Sequence, residues 1–444
     1  MTQRLHERVN AWVLLATLGA LVLVGTPGLG GEPWPFVTGA VHPRGLLAPL
    51  VRAADGEWDV DIPRTAAVLA GVLVVLGALV AVRVPRWRGD VALVVALAVV
   101  VLLLAPAVLL QAGLRDATAP WFHTNDSTYQ IEIAGALVRS GENPYGHDFR
   151  GSGLERFYSR DGSVAPATLE TEVALRHFAY FPGTALVAAA WGALPRPFDD
   201  YRFLVLLATL LCLPVFLAFE APLTVALAAG AALAANPLAI RAAWFGTADA
   251  PSVLLLVLAF ALATRSRYVA AGAAIGGAVL LKQFALVALP FIAVLIWRRS
   301  GDGRMLLRVA AAALGAFAVG ALPFLIADPT ALWHDTVSYG ASTYRIIGYG
   351  LSGLLVKAGV VERTGSYPFV LLAALVWLPV TIWLLRAQAH ARAAWVGAAG
   401  FAASMYALLF VSRVFQTSYL IWSLAGIAIA VVLWSAERNP SSTA

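Results

Sequence analysis

Apolar runs long enough to cross a bilayer recur from Ala11 to Trp434, with mostly short polar turns between them. A membrane span needs roughly 20 such residues. Because lipid offers the backbone no hydrogen-bond partner, each run must close its own bonds as a helix. Composition points the same way. Of the 444 residues, 60% are hydrophobic and 13% are charged, with a mean hydropathy of +0.79. A soluble protein is about a quarter charged, so this chain has too little polar surface to cover a water-facing globule. The expected fold class is all-α, a polytopic transmembrane helical bundle with roughly 11–13 crossings. It is read as a single integral membrane domain over residues 1–444: N-terminal helices in 11–113, an outer loop in 114–180 and a helical bundle in 181–434.

Charge sets the orientation. Arginines gather in short turns, at Arg83/Arg86/Arg88, Arg265/Arg267, Arg298/Arg299/Arg304 and Arg386/Arg392, and basic turns face the cytoplasm. With Arg4 and Arg8 also inside, the first apolar run, 11–29, is a retained helix rather than a cleaved signal. Spans are expected at 65–82, 91–111, 181–194, 203–219, 223–240, 250–263, 269–281, 284–297, 306–326, 369–385, 394–411 and 419–434. The run 181–194 is short for a crossing, and 350–361 reads as a partial span. By alternation the polar stretch from Leu114 to Tyr180 lies outside, as does 327–349. The site is therefore expected on the extracytoplasmic face of the plasma membrane. The net charge of +6 follows from these turns and implies no nucleic-acid partner. The single cysteine, Cys212, lies inside an apolar run and reads as a buried small side chain.

The outer loop holds the densest polar set, including His123, Asn125, Asp126, Tyr129, Asn143 and Tyr145. Ser127-Thr128-Tyr129-Gln130 reads as a capping box, followed by an apolar face of Tyr129, Ile133, Ala136 and Leu137 and a stop at Gly141. A short amphipathic helix along the outer surface is expected there. Asp126 stands just before it, either as a general base held at the membrane surface or as a plain cap on the positive helix end. His177 and Tyr180 sit at the mouth of the next helix, where Tyr also serves as an interfacial belt residue. Arg241 and Asp249 flank a broken connection and are either functional or simply solvated. Lys282 and Lys357 are the only lysines. Lys282 with Gln283 interrupts an apolar run at the outer end of a helix hairpin. That is a place for a compact cation that holds phosphate or for one that snorkels to headgroups. Tyr339, Tyr344 and Arg345, then Arg413 and Tyr419, add cations with aromatic neighbours, a rim suited to an anionic lipid phosphate.

There is no Walker-type loop, no His-Glu-x-x-His helix and no Gly-x-Ser-x-Gly elbow. The spacing of Asp126, His123 and His177 does not support a divalent metal, and no cofactor is expected.

Three stretches resemble the GT-C glycosyltransferases, polytopic enzymes that take sugar from a polyprenyl-phosphate carrier. Among these the chain is most similar to the family 87-like mannosyltransferases of actinobacteria. The stretches are Asn125-Asp126-Ser127-Thr128-Tyr129 with Gly141-Glu142-Asn143-Pro144-Tyr145; Phe178-Ala179-Tyr180-Phe181-Pro182; and Phe245-Gly246 through Gly276-Gly277-Ala278-Val279-Leu280-Leu281-Lys282-Gln283 to Leu289-Pro290. Two departures stand out. Gln283 replaces the usual Pro, and Asp126 follows the third helix where the family's Asp follows the first, which keeps Asp55, Asp59 and Asp61 as alternatives.

The resemblance implies inverting transfer of mannose or a related sugar from a polyprenyl-phosphate donor to a lipid or cell-envelope glycan acceptor. Asp126 would act as base, Lys282 and Arg345 would hold the donor phosphate, and Tyr129, Tyr145 and Tyr180 would line the cavity. The rival expectation is a lipid-linked-sugar transporter or flippase, or a non-catalytic assembly partner, in which the same cations only bind a headgroup. Transport calls for polar groups through the midplane, and few are present.

Overall fold

The apolar runs fold as helices wherever Ala, Leu and Val continue unbroken, and polar or imino residues divide them. The computed structural model describes residues 15–25, 41–87, 91, 95, 98–118, 123–158 and 174–438. Arg4, Arg8, Arg88 and parts of the first and third expected spans lie outside the described residues. Among the described residues, five helices are long and apolar enough to cross a membrane: Asp61–Arg83, Gln283–Ser300, Gly303–Ala327, Phe369–His390 and Thr417–Arg438. A sixth span forms if Leu223–Ala234 and Pro237–Phe245, bent by 53°, cross as one. Leu15–Gly25, Tyr201–Leu217, Asp249–Thr264, Tyr268–Leu281 and Trp395–Val411 are shorter apolar helices.

The shortenings have local causes. Asn236 accepts from the amides of Leu238 and Ala239 and so starts a new helix at Pro237 inside one apolar run. The run expected at 181–194 yields only Pro182–Trp191. Ten residues rise about 15 Å, half the hydrocarbon thickness, so this helix is not a full span. The expected partial span at 350–361 is a seven-residue helix, Leu351–Lys357.

The chain forms two compact units. The first comprises Met1–Asn125, Leu194–Ala250 and Ala428–Ala444. Its long helix, Asp61–Arg83, buries Ala67, Ala70, Val74, Ala78 and Ala81, one stripe at helical spacing. A Cβ on Gly19 would come within 2.8 Å of the Gly71 carbonyl oxygen, so the Leu15–Gly25 helix meets the long helix backbone to backbone. The Trp244 indole donates to the Leu103 carbonyl at 3.0 Å, tying the bent pair to the stretch before Ala105–Ala117.

The second unit comprises Asp126–Ala193 and Pro251–Ile427. Its centre is the crossing of Tyr268–Leu281 with Gly303–Ala327. A Cβ on Gly272 would lie 2.5 Å from the Val309 oxygen, and one on Gly276 would lie 2.2 Å from the Ala313 oxygen. The outer faces of two spans remain uncovered, with Val319 81%, Ile326 74% and Val370 75% exposed. Continuous apolar faces of this kind are compatible with lipid and not with water. The protein is a multi-pass, all-helical membrane protein. The one sheet among the described residues is a parallel pair, Ile347–Gly348 with Val414–Phe415.

Candidate active site

Within the second unit, the polar ends of several helices gather around the start of the Asp126–Arg139 helix. That helix begins at Asp126, not after Ser127, and the Asp126 Oδ1 accepts the Ser127 amide at 2.8 Å. The expected capping box is not what holds it, because the Gln130 amide donates to the His177 carbonyl at 2.9 Å. The buried face also differs from the expected one. Thr128, Tyr129, Ile131, Ala134 and Gly135 are buried, whereas Ala136 is exposed. Gly135 decides this, since a Cβ there would sit 2.7 Å from the backbone of Ala188. The helix therefore turns its smallest residue toward Pro182–Trp191.

Tyr158 ends a short 3-10 turn, Leu154–Tyr158. Burial and the nearby charge of Asp126 raise its phenol well above the usual tyrosine range, and Arg345 partly opposes this. Tyr339, in the π-helix His334–Thr343, is raised by burial and by its neighbours Tyr344, Tyr158, Tyr180 and Asp126. These couplings place one carboxylate, four tyrosines and Arg345 in one neighbourhood. With their protons tightly held, the Tyr158 and Tyr339 phenols are hydrogen-bond donors at neutral pH. The His177 ring stacks on Tyr339 at 4.4 Å, and Tyr339 lies 5.0 Å from Tyr344.

Lys282 joins the same group through Tyr180. It leaves the Tyr268–Leu281 helix in extended conformation and is 6% exposed. Its Nζ lies over three rings: Tyr180 at 4.9 Å, Tyr419 at 5.5 Å and Phe284 at 5.7 Å. A lysine snorkelling to headgroups would be exposed. This one is enclosed by aromatic faces, which attract a cation. Its backbone is held by the glycine crossings described above and by Gly183, where a Cβ would meet the Leu280 oxygen at 2.7 Å. Gln283 donates to the Ala179 carbonyl at 3.4 Å, while its own side-chain oxygen is buried without a partner.

Other expected residues are tied down by hydrogen bonds. Tyr129 donates to the Ser152 carbonyl and Tyr145 to the Tyr180 carbonyl, both at 2.8 Å, and Asn143 accepts the Tyr145 amide at 3.1 Å. Arg413 is buried and donates to the carbonyls of Tyr344 and Gly365, which holds Tyr344 and Arg345 in place. His123, Asn125 and Asp249 belong to the first unit. There Asn125 donates to the Gly246 carbonyl at 2.9 Å, Asp249 starts its helix as a buried residue, and His123 is buried.

Sequence reasoning missed Asp335, Tyr158 and Phe284. The Asp335 Oδ2 accepts from the amides of Gly146 at 3.0 Å and Phe178 at 3.1 Å, and so joins the two loops that carry Tyr145 and Tyr180 to the His334–Thr343 segment. Its one sequence signal was a carboxylate in the middle of that loop.

No family model matches the chain, and no curated protein does. Among solved structures, the crystal structure of ArnT from Cupriavidus metallidurans bound to undecaprenyl phosphate is similar over 78% of this chain, with 18% identity and a TM-score of 0.45. The similar region spans 60% of the length of that ArnT chain.

Proposed function

We propose that this protein is a membrane glycosyltransferase that moves a sugar from a polyprenyl-phosphate carrier to a hydroxyl acceptor on a lipid or envelope glycan, at the extracytoplasmic face. The observation that carries this reading is the grouping of Asp126, Tyr158, Tyr180, Tyr339, Tyr344, Arg345 and Lys282 in one unit. The motif resemblance of the Asp126, Tyr180 and Lys282 segments supports it.

In this mechanism Asp126 takes the proton from the acceptor hydroxyl. The freed oxygen attacks the anomeric carbon from the face opposite the phosphate, so the configuration inverts. The bond between the anomeric carbon and the phosphate oxygen breaks, and its electron pair leaves with the polyprenyl phosphate. Lys282 and Arg345 stabilise the charge that develops there. The protonated tyrosines donate to sugar or phosphate oxygens. Mannose is the favoured sugar, on the motif resemblance alone.

The test is transfer from radiolabelled polyprenyl-phosphate sugars to total membrane lipids by purified protein, with Asp126→Asn alongside. Transfer should fall by at least 10²-fold in the folded variant. Full activity in Asp126→Asn would remove Asp126 as the base. Absence of transfer from every donor, with donor binding intact, would favour a transporter or assembly partner.

A further inference from the structure

The Asp335 carboxylate uses only one of its two oxygens to tie the loops of the second unit together. Oδ2 accepts both amides, from Gly146 and Phe178. Among the described residues nothing donates to Oδ1, and no cation lies within ion-pair distance of the group. The residue is nearly buried, yet Oδ1 is not one of the fully enclosed polar atoms, so part of the small exposure that Asp335 keeps is at this oxygen. An asparagine would hold the same two amides without a buried charge, which is unfavourable. The second oxygen is an acceptor without a donor, and a polar atom this deep calls for one.

The surroundings say which molecule brings that donor. Asp335 stands in the His334–Thr343 helix about one turn before Tyr339, so the two side chains share one side of it. Tyr339 belongs to the group around Asp126, and its ring stacks on His177. The loop that Asp335 anchors at Phe178 runs on through Ala179, which accepts from Gln283, to Tyr180, whose ring faces Lys282 Nζ at 4.9 Å. Phe178 to Tyr180 thus carries a carboxylate at one end and an enclosed cation at the other, and two residues of chain reach at most about 7 Å. In a polyprenyl-phosphate sugar the phosphate is bonded directly to the sugar. A phosphate drawn to Lys282 therefore brings sugar hydroxyls into the neighbourhood of Asp335. The carboxylate repels the phosphate, and the polyprenyl chain offers no donor. The hydroxyls are the part of the lipid-linked donor that can bond it.

We propose that Asp335 is a specificity-determining residue of the transfer, with its Oδ1 accepting a hydroxyl of the donor sugar; this rests on the reading of the chain as a transferase that uses a polyprenyl-phosphate donor. Asp126 then acts on the acceptor and Lys282 on the phosphate, while Asp335 reads the sugar between them. A site that offers a buried acceptor to one hydroxyl discriminates strongly against a sugar that lacks it, because the acceptor is then left unpaired.

The test is equilibrium binding to the purified full-length protein in detergent, with no acceptor present. The ligands are bare polyprenyl phosphate and the radiolabelled polyprenyl-phosphate sugars of the transfer assay. Asp335→Asn keeps one oxygen for the two amides and puts an NH2 group in place of Oδ1, so the sugar hydroxyl loses its acceptor. The wild type should bind at least one sugar-linked lipid more tightly than the bare lipid. Asp335→Asn should lower that affinity by about tenfold or more and leave bare polyprenyl phosphate within about twofold. Lys282→Met should weaken both, because it acts on the phosphate. Unchanged binding of every sugar-linked lipid by Asp335→Asn would overturn the proposal, and so would a wild type that prefers none of them to the bare lipid. An equal loss for bare and sugar-linked lipids would overturn it too, by showing that Asp335 only holds the loops. Absence of transfer with the sugar-dependent loss intact would remove the transferase reading and leave Asp335 as a sugar-binding residue.

Discussion

Removing the Asp335 side chain should cost far more than neutralising it. The residue is 3% exposed and one carboxylate oxygen accepts two backbone amides, those of Gly146 and Phe178. Asp335→Ala leaves the buried Phe178 N–H unsatisfied, at about 1–3 kcal/mol, while Gly146 is an exposed residue whose N–H can turn to water. It also removes a charge whose burial is unfavourable, so the net loss is about 2 kcal/mol. Asp335→Asn keeps one oxygen that can take both amides and removes that charge, so it should stay within about 1 kcal/mol of the wild type. For a chain of 444 residues 1 kcal/mol moves the unfolding temperature by about 1 °C. Asp335→Ala should therefore melt about 2 °C lower in detergent, with Asp335→Asn close to the parent.

A pH dependence separates the two effects. Burial raises the Asp335 carboxyl above its ordinary value, and the amides of Gly146 and Phe178 only partly oppose this. The folded state therefore holds the proton more tightly than the unfolded state. The wild type loses stability from this group as pH climbs from about 4 through the raised value. Asp335→Asn lacks that loss, so it should gain on the wild type across the same window. The reasoning is refuted if Asp335→Ala and Asp335→Asn melt together, or if the difference between wild type and Asp335→Asn does not change with pH.

Other perturbations probe neighbouring contacts. Tyr145→Phe removes the 2.8 Å bond to the Tyr180 carbonyl; it should cost about 1–2 kcal/mol and raise the donor KM more than it lowers kcat. Lys282→Met keeps an apolar stem among Tyr180, Phe284 and Tyr419 but removes the cation. Binding of polyprenyl phosphate, read by displacement of a fluorescent analogue, should weaken at least tenfold with the fold intact, about 1.4 kcal/mol. Gly276→Ala drives a methyl to 2.2 Å from the Ala313 oxygen, whereas Gly315 meets nothing within 4 Å. The first should destabilise by about 2 kcal/mol or more, and Gly315→Ala should be neutral or stabilising by up to about 1 kcal/mol, both read as shifts in unfolding temperature.

The helices were legible because lipid solvation leaves a long apolar run no other backbone structure. The hairpin that ends at Lys282 was legible too, since one lysine in an apolar run has to end up somewhere polar or enclosed. The face of the Asp126–Arg139 helix was not. Apolar spacing favoured Ile133 and Ala136, but the close approach of Gly135 to Ala188 outweighed it. In a membrane protein the lipid-facing and protein-facing sides are both apolar, so periodicity loses its power to tell them apart. The capping pattern at Ser127–Gln130 failed for a related reason: the His177 carbonyl, 47 positions away, competes for the Gln130 amide.

Helical class, membrane residence and the presence of a few ionisable groups near the ends of helices were written in the sequence, because each follows from local transfer free energy. Which of those groups share a site was decided only by the tertiary structure. Tyr180 faces Lys282, Asp335 joins three loops, and Tyr158 lies near Asp126, through pairings made 32 or more positions apart along the chain. His123 stands three residues from Asp126 in sequence, yet its electrostatic partners are Arg202 and Arg115 of the first unit. Proximity along the chain carries no energy of its own, and the packing of glycine faces and buried charges chose the partners.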